Sequence, residues 1–314
     1  AEALGRRLGR AVPLVADWRA TPPAPAAGEL VLLENIRFAA GETDNDEALG
    51  RHLASMCDVF VMDAFAACHR AHASTSAAAR LAPAACAGRL LQAEVAGLRR
   101  VFDRAQAPII AALGGAKVST KLNLLCSLRR RVDQLIVGGG MANTMLAAGG
   151  VDVGASLFEP DMLDEARALL EGGSILLPVD ALVRGADGSV RISRLNEIAP
   201  DEAIFDIGPA SAEAAAEALG GAGGMIWNGP MGVFEQEAFA QGTRAVARAI
   251  AGSAAYSVAG GGDTLAAIEA FGLGVKPEPG APGLSCISTG GGAFLEYLEV
   301  GEALPGIAAL QRSG

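Results

Sequence analysis

Two of the chain's three lysines, Lys117 and Lys121, stand four residues apart in GGAKVSTK (114–121), behind a pair of glycines. Apolar PIIAAL before this stretch and NLLCSLRRRV after it read as a strand leading into a helix, on which Val118, Leu122 and Leu125 keep helical spacing. Both lysines are therefore expected to open that helix on one face. Helix N-termini carry positive partial charge and prefer Asp or Glu, so paired ammonium groups there repel unless an anion lies between them. A phosphate would be such an anion. The competing reading is a pair of solvated surface lysines.

Further clusters carry related chemistry. AGGGDTLAA (259–267) offers the backbone donors of Gly261 and Gly262, the Thr264 hydroxyl for phosphate, and the Asp263 carboxylate for Mg²⁺, unless Asp263 is the N-cap of an ordinary helix. WNGPMGVFE (227–235) sets Asn228 on a strand end, with Glu235 shortly after a Gly-Pro turn and Trp227 expected in packing. QLIVGGGMANT places Gly138, Gly139 and Gly140 between a strand and a helix, while STGGGAFLE (288–296) is either another ligand turn or a hinge. Neither GxGxxG nor GxxxxGK[ST] occurs, which removes the dinucleotide fingerprint and the P-loop, and with the former a Rossmann dehydrogenase. Toward the N-terminus, LLENIRF (32–38) holds Arg37, and DAFAACHRAHAST (63–75) holds Asp63, His69, Arg70 and His72. A guanidinium binds phosphate or carboxylate with two parallel bonds; the plainer reading of Arg37 is an ion pair with Glu34 or Glu42. His69 and His72 lack a third ligand at metal spacing and are expected to orient or pack.

The elements that must position these residues alternate regularly. From residue 106 onward PIIAALGG, QLIVGGG, SILLPVD, AIFDIG, GMIWNG, AAYSVAGGG and LSCISTGGG end in Gly, Asp or Asn and precede amphipathic stretches. That pattern predicts βαβ units and a parallel sheet covered on both faces, with glycines at the strand ends where ligands bind. AVPLVAD, ELVLLEN and DVFVMDAF, followed by an alanine-rich segment, predict a smaller α/β region within residues 1–90. Between the two regions 87–105 reads as a joining helix; TPPAPAAG (21–28) is a loop too short to be an interdomain linker.

Composition bounds the function. The 314 residues suffice for two domains, and 51% hydrophobic against 19% charged residues means a large buried core. A net charge of −10 argues against nucleic acid or a membrane surface as partner, so any anion must be held by local positive groups. Five isolated cysteines fit reduced structural thiols. With neither an apolar span nor a leader pattern, a cytoplasmic protein is expected. The chain opens on Ala and not Met, so residues upstream are expected.

In order, LLENIRF, DAFAACHRAHAST, GGAKVSTKL, GGGMANT, LPVD, DIGP, WNGPMGVFE, AGGGDT and STGGGAFLE resemble phosphoglycerate kinase across essentially the entire chain. The resemblance implies two Rossmann-like three-layer α/β domains whose parallel sheets face each other across a hinge cleft. It also implies reversible phosphoryl transfer between 1,3-bisphosphoglycerate and ADP, giving 3-phosphoglycerate and ATP with Mg²⁺. Arg37 and Arg70 would hold the phosphate of the glycerate on the N-terminal domain, residues 1–90. In a nucleotide domain over 106–292, Lys117 and Lys121 would contact phosphates, Asn228 would help position them, and Glu235 would meet the ribose. Asp263 would act through Mg²⁺ and Thr264 on phosphate, while Gly115, Gly138, Gly139 and Gly208 leave room for adenine. The tail 293–314 would pack back on the N-terminal domain; 87–105 and the STGGG turn are the hinge candidates, and a monomer is expected.

Relative to the family, about eighty N-terminal residues are expected to be absent, leaving that domain incomplete. An Asp-x-Asn substrate motif, an Arg near the transferred phosphoryl and a His-x-x-Arg segment are not found. Lesser departures are Met62, Ala66 and Thr120. The alternative reading is a nucleotide-binding protein without turnover.

Overall fold

The computed structural model describes residues 1–103, 106–278 and 281–311. Its contacts divide the chain into two units: Ala1–Ala93 with the residues from Val300 on, and Glu94–Glu299.

The first unit runs α1 (Glu2–Leu8), β1 (Leu14–Val15), β2 (Leu32–Leu33), α2 (Glu47–Ser55), β3 (Phe60–Met62), α3 (Ala78–Leu81) and β4 (Ala85–Ala87). β1 pairs with β2 and β3 with β4, both in parallel. β4 was not foreseen, because Ala-Cys-Ala has little strand propensity and its pairing with Phe60–Met62 alone holds it extended. Trp18, Ala39, Leu49 and Ala73 form a small core with Val15, Leu33 and Ile36 against them. Asp46 starts α2, its carboxylate accepting from Leu49 N at 2.7 Å.

α4 (Arg89–Asp103) buries Leu91, Leu98 and Val101 along one face, and the boundary between the units falls inside it. Of the expected 87–105 span, residues 87 and 88 precede the helix, and 104 and 105 lie outside the described residues. Asp63, at the end of β3, caps α4 from another element: its Oδ1 accepts from Leu91 N at 2.9 Å. Gly88 makes room for it, since a Cβ there would fall 2.2 Å from the Asp63 Cγ.

The second unit continues with β5 (Ile109–Leu113), α5 (Leu122–Arg129), β6 (Gln134–Val137), α6 (Gly139–Ala148), α7 (Leu163–Leu170), β7 (Ile175–Leu176), β8 (Asp180–Arg184), β9 (Val190–Arg194) and β10 (Ala203–Ile207). There follow α8 (Pro209–Gly220), β11 (Gly224–Asn228), α9 (Gln241–Gly252), β12 (Tyr256–Gly260), α10 (Gly262–Ala270), β13 (Cys286–Ser288) and α11 (Gly292–Val300). Six strands make one parallel sheet in the order β13-β12-β11-β5-β6-β7. Every residue of β11 is buried, as a strand covered on both faces must be. The order reverses between β5 and β11, and in such sheets ligands sit beside that reversal, outside the carboxyl ends of the strands.

Two expectations about this sheet need correction. AIFDIG is a strand, but β10 pairs antiparallel with β8, which pairs antiparallel with β9, in a separate three-stranded sheet. An apolar run identifies a strand without naming its neighbour. SILLPVD is not one strand either: β7 ends at Leu176, Pro178 can donate no ladder bond, and Asp180 opens β8.

The C-terminal boundary also shifts. α11 stays with the second unit, where Leu298 O accepts from Ser127 Oγ (3.3 Å) and from Arg131 Nη1 (2.8 Å). α12 (Pro305–Gln311) belongs to the first unit, with Gly306 N donating to Cys68 O at 2.8 Å. The returning tail thus begins at residue 300 and not 293, and its last residues, 312–314, lie outside the described ones. Likewise the second unit spans Glu94–Glu299 where 106–292 was expected. Among the described residues no helix is long and apolar enough to cross a membrane.

Asp63→Ala removes the cap on α4 and is expected to lower stability by about 1–2 kcal/mol in urea unfolding. Asp63→Asn keeps an acceptor and should lose less; equal stability of wild type and Asp63→Ala would show that the cap contributes nothing.

Candidate functional site

The carboxyl ends of β5 and β11 touch through their glycines. A Cβ on Gly114 would lie 1.7 Å from Pro230 O, so no side chain is possible there, and Gly229 turns the chain at φ +92°. Into this junction Lys121 sends its ammonium, with Nζ donating to Gly114 O (2.6 Å) and to Asn228 Oδ1 (2.6 Å). Asn228 in turn donates from Nδ2 to Gly260 O (2.7 Å). One cation therefore links β5 and β11 and reaches β12 through an amide. Burial pushes the Lys121 pKa down to about 8, against the pull of the nearby Asp263 carboxylate.

The two lysines do not share a helix face. α5 begins at Leu122, and 114–121 is a loop in which Lys121 N donates to Val118 O (2.9 Å) and Thr120 Oγ1 to Lys117 O (3.0 Å). Val118 is fully buried from within the turn, so its apolar spacing with Leu122 reflects packing and not helix. Lys117 is exposed. Glu159 holds this loop, accepting from Ser119 N (3.0 Å) and Ser119 Oγ (2.5 Å). Partial burial works against its charge, but these bonds, a Val118 N–H and Lys117 keep its pKa below the usual range.

A cavity of about 320 Å³ opens beside the loop, lined by Gly115, Gly139, Glu235 and Asp263 among others. Asp263 is not an N-cap: Gly261 occupies that position, and Asp263 stands exposed in the first turn of α10. Thr264 is buried, its Oγ1 accepting from Gly229 N at 2.7 Å, so it braces the turn. Gly138 and Gly208 do not open the cavity. A Cβ on Gly138 would meet Met231 Cα at 2.7 Å, and one on Gly208 the Asp180 carboxyl at 2.3 Å. Gly261 packs on the Asn228 amide, while Gly262 faces open space. Trp227 is fully buried with Nε1 donating to Gly229 O (2.9 Å), a packing role as expected.

Sequence reasoning missed Leu157, Val233 and Asp206, all of which line the cavity. Leu157 is 60% exposed, a signal only the folded surface gives. Asp206 is buried and its pKa is pushed up to about 7 by that burial, against hydrogen bonds from Gly242 N and Ile207 N.

In the first unit, Arg37 pairs with Glu42 and not with Glu34. Its Nη1 donates to Glu42 Oε1 (3.2 Å) and to His72 Nδ1. Glu42 is buried and also accepts from Ser74 Oγ (2.6 Å) and Ser74 N (3.0 Å). Burial first, and then the charges of Arg37, Arg70 and His69, lower the His72 pKa over the opposing pull of Glu42, in keeping with a ring nitrogen that accepts a hydrogen bond from the guanidinium. Arg70 is exposed, with Nε donating to His69 Nε2 (3.2 Å). Each histidine thus touches one guanidinium, His72 that of Arg37 and His69 that of Arg70.

Fold and site together have the form of a nucleotide-dependent phosphotransferase. The sequence model of the phosphoglycerate kinase family matches residues 1–301, and the chain belongs to that family. It is 50% identical to the phosphoglycerate kinase of Nitratidesulfovibrio vulgaris, an alignment covering 99% of this chain and 79% of that protein. Among solved structures, phosphoglycerate kinase from Coxiella burnetii superposes with a TM-score of 0.92 at 46% identity, over 100% of this chain and 80% of the other. The enzyme from Pyrococcus horikoshii gives 0.81 at 34% identity, over 100% and 81%. The family match starts at residue 1 and lends no support to the expected absence of an N-terminal stretch.

The lowered Lys121 pKa has a signed consequence. Between about pH 8 and the ordinary lysine value of 10.5 the unfolded chain holds this proton and the folded chain has lost it, so this group makes stability rise with pH across that window. The difference in unfolding free energy between wild type and Lys121→Gln should change with pH from 7.5 to 10; a constant difference would mean that Lys121 titrates normally.

Proposed function

We propose that this chain catalyses reversible phosphoryl transfer between 1,3-bisphosphoglycerate and ADP, yielding 3-phosphoglycerate and ATP in glycolysis. The carrying observation is the convergence of Lys121, Asn228 and Asp263 on the carboxyl edge of the parallel sheet, beside the β5/β11 reversal, in a chain matching the family over 1–301.

In this reading the second unit binds the nucleotide. Gly115 and Gly139 border the base, Glu235 takes the ribose, and Lys117 and Lys121 meet phosphates. Asn228 acts through Lys121 by holding its ammonium, Thr264 keeps the Gly229 turn in place, and Gly261 and Gly262 let phosphate approach α10. A phosphate arriving at Lys121 returns its pKa toward the ordinary value, so the ammonium is fully charged when equatorial oxygens need neutralising. Such transfer asks for in-line placement and charge stabilisation, with little covalent participation by protein.

Mg²⁺ fits this site as a substrate-borne ion. Among the described residues no group of three or more His, Cys, Asp or Glu could hold a metal, whereas Asp263, exposed in the first turn of α10, is one of the carboxylates lining the cavity. Mg²⁺ is commonly held by one or two carboxylates plus substrate phosphates, and when bound it neutralises phosphate charge. The first unit takes the acid substrate, with Arg37 and Arg70 on its phosphate and Glu42 and His72 fixing the Arg37 fork. A cytoplasmic monomer accords with the reduced cysteines and the family. No observation favours a nucleotide-binding protein without turnover.

Calorimetric titration with MgADP, followed by a coupled assay with 3-phosphoglycerate and ATP, tests the reading. Binding with turnover is expected. Arg37→Ala and Arg70→Ala should each raise KM for 3-phosphoglycerate by about tenfold or more and leave KM for MgATP unchanged, since each loses a charge-assisted contact. Binding without turnover would sink the catalytic assignment.

A further inference from the structure

Asp206 has no place in the roles above, yet it is 1% exposed, lines the nucleotide cavity and spends a buried carboxylate near the end of β10. Burying such a group is unfavourable without compensating bonds, and an apolar residue would suit the core better. Its bonds show what it holds. Oδ2 accepts from Gly242 N at 2.7 Å, and Oδ1 from Ile207 N at 2.9 Å. Gly242 lies in the first turn of α9, a helix whose N-cap is Ala240 and which has no side-chain cap of its own, so Asp206 supplies the missing acceptor from β10. Two glycines close on the carboxylate: a Cβ on Gly232 or Gly242 would lie 2.3 or 2.4 Å from Oδ1.

From α9 the connection continues. Thr243, the next residue, accepts at Oγ1 from Met231 N (3.0 Å), and Met231 O accepts from Gly139 N (2.8 Å) at the start of α6. Val233 N meanwhile donates to Phe205 O (2.8 Å), beside Asp206. Phe205, Asp206 and Ile207 form one side of the cavity, Met231 to Val233 another, and Gly139 and Gly140 a third. A single bonded chain, Asp206 to Gly242–Thr243 to Met231 to Gly139, thus joins all three.

We propose that Asp206 is a positioning residue for nucleotide binding, setting the spacing of the cavity walls through the N-terminus of α9 and Thr243. The proposal rests on the cavity being the nucleotide site. It does not make Asp206 a catalytic residue, because the group reaches the ligand only through the walls it holds.

The test uses the whole chain and compares wild type with Asp206→Asn, Thr243→Val and Thr243→Ser. Thr243→Val breaks the chain at its second bond without touching Asp206, and serine restores the hydroxyl. MgADP affinity by calorimetry and both KM values are measured below each variant's unfolding transition. Asp206→Asn and Thr243→Val should weaken MgADP about tenfold and raise KM for MgATP in step, with KM for 3-phosphoglycerate unchanged and Thr243→Ser near wild type. Wild-type affinity in Asp206→Asn and Thr243→Val, even with lowered thermal stability, would overturn the proposal and leave Asp206 a structural cap. Equal loss toward both substrates would overturn it too. If wild type fails to bind MgADP, the nucleotide reading of the cavity fails, and the proposal falls with it.

Discussion

The second unit depends on one cation placed at the carboxyl ends of two neighbouring strands. Lys121 donates to Gly114 O at the end of β5 and to Asn228 Oδ1 at the end of β11, the two strands between which the sheet order reverses. Carbonyls at the carboxyl ends of strands point out of the sheet and need donors. An ammonium meets that need and leaves positive charge where a phosphate would arrive. The cost is desolvation, visible as a pKa lowered to about 8. Gly114 and Gly229 are part of the same arrangement, because a side chain on Gly114 would collide with the Pro230 carbonyl.

Buried carboxylates complete the positioning in both units. Glu42 is held by Ser74 and pairs with Arg37, so its charge is compensated by a guanidinium. Asp206 is held by backbone N–H groups, and its pKa rises to about 7. For Asp206, burial with only two amide donors does not fully replace the lost hydration. Each carboxylate ties together loops distant in sequence, and neither faces solvent. Burial acts on the Cys286 thiol in the same direction, pushing its pKa up to about 11.

Much of the second unit was legible from residues 106 onward. Strand-length apolar runs such as PIIAAL, QLIV and GMIW, each closed by glycine, identify parallel strands because both faces must be apolar and the carboxyl ends must let backbone approach closely. Asp263 and Glu235 were readable as acids beside such turns. AIFDIG misled because its composition matches its neighbours, while its one partner, β8, belongs to a hairpin whose other strand, VRISR, carries little apolar signal. Lys117 and Lys121 misled for another reason: helical spacing of Val118 and Leu122 arises equally from a buried turn. Asp206 could be seen as an acid inside an apolar strand, but nothing near it in sequence names Gly242, thirty-six residues away, as its partner.

The sequence by itself determined the α/β class, the glycine-ended strands, the residue types available for phosphate chemistry and the family resemblance. These are local properties: backbone freedom at glycine, alternation of apolar runs and the charge carried by each side chain. Only the tertiary structure decided that Lys121 is tied into the strand ends while Lys117 is exposed, that Arg37 pairs with a buried Glu42, and that Gly208 packs on Asp180 instead of bordering the cavity. Those outcomes depend on which distant groups share a desolvated space, and pairwise electrostatics and hydrogen bonding in that space are set by three-dimensional neighbours and not by spacing along the chain.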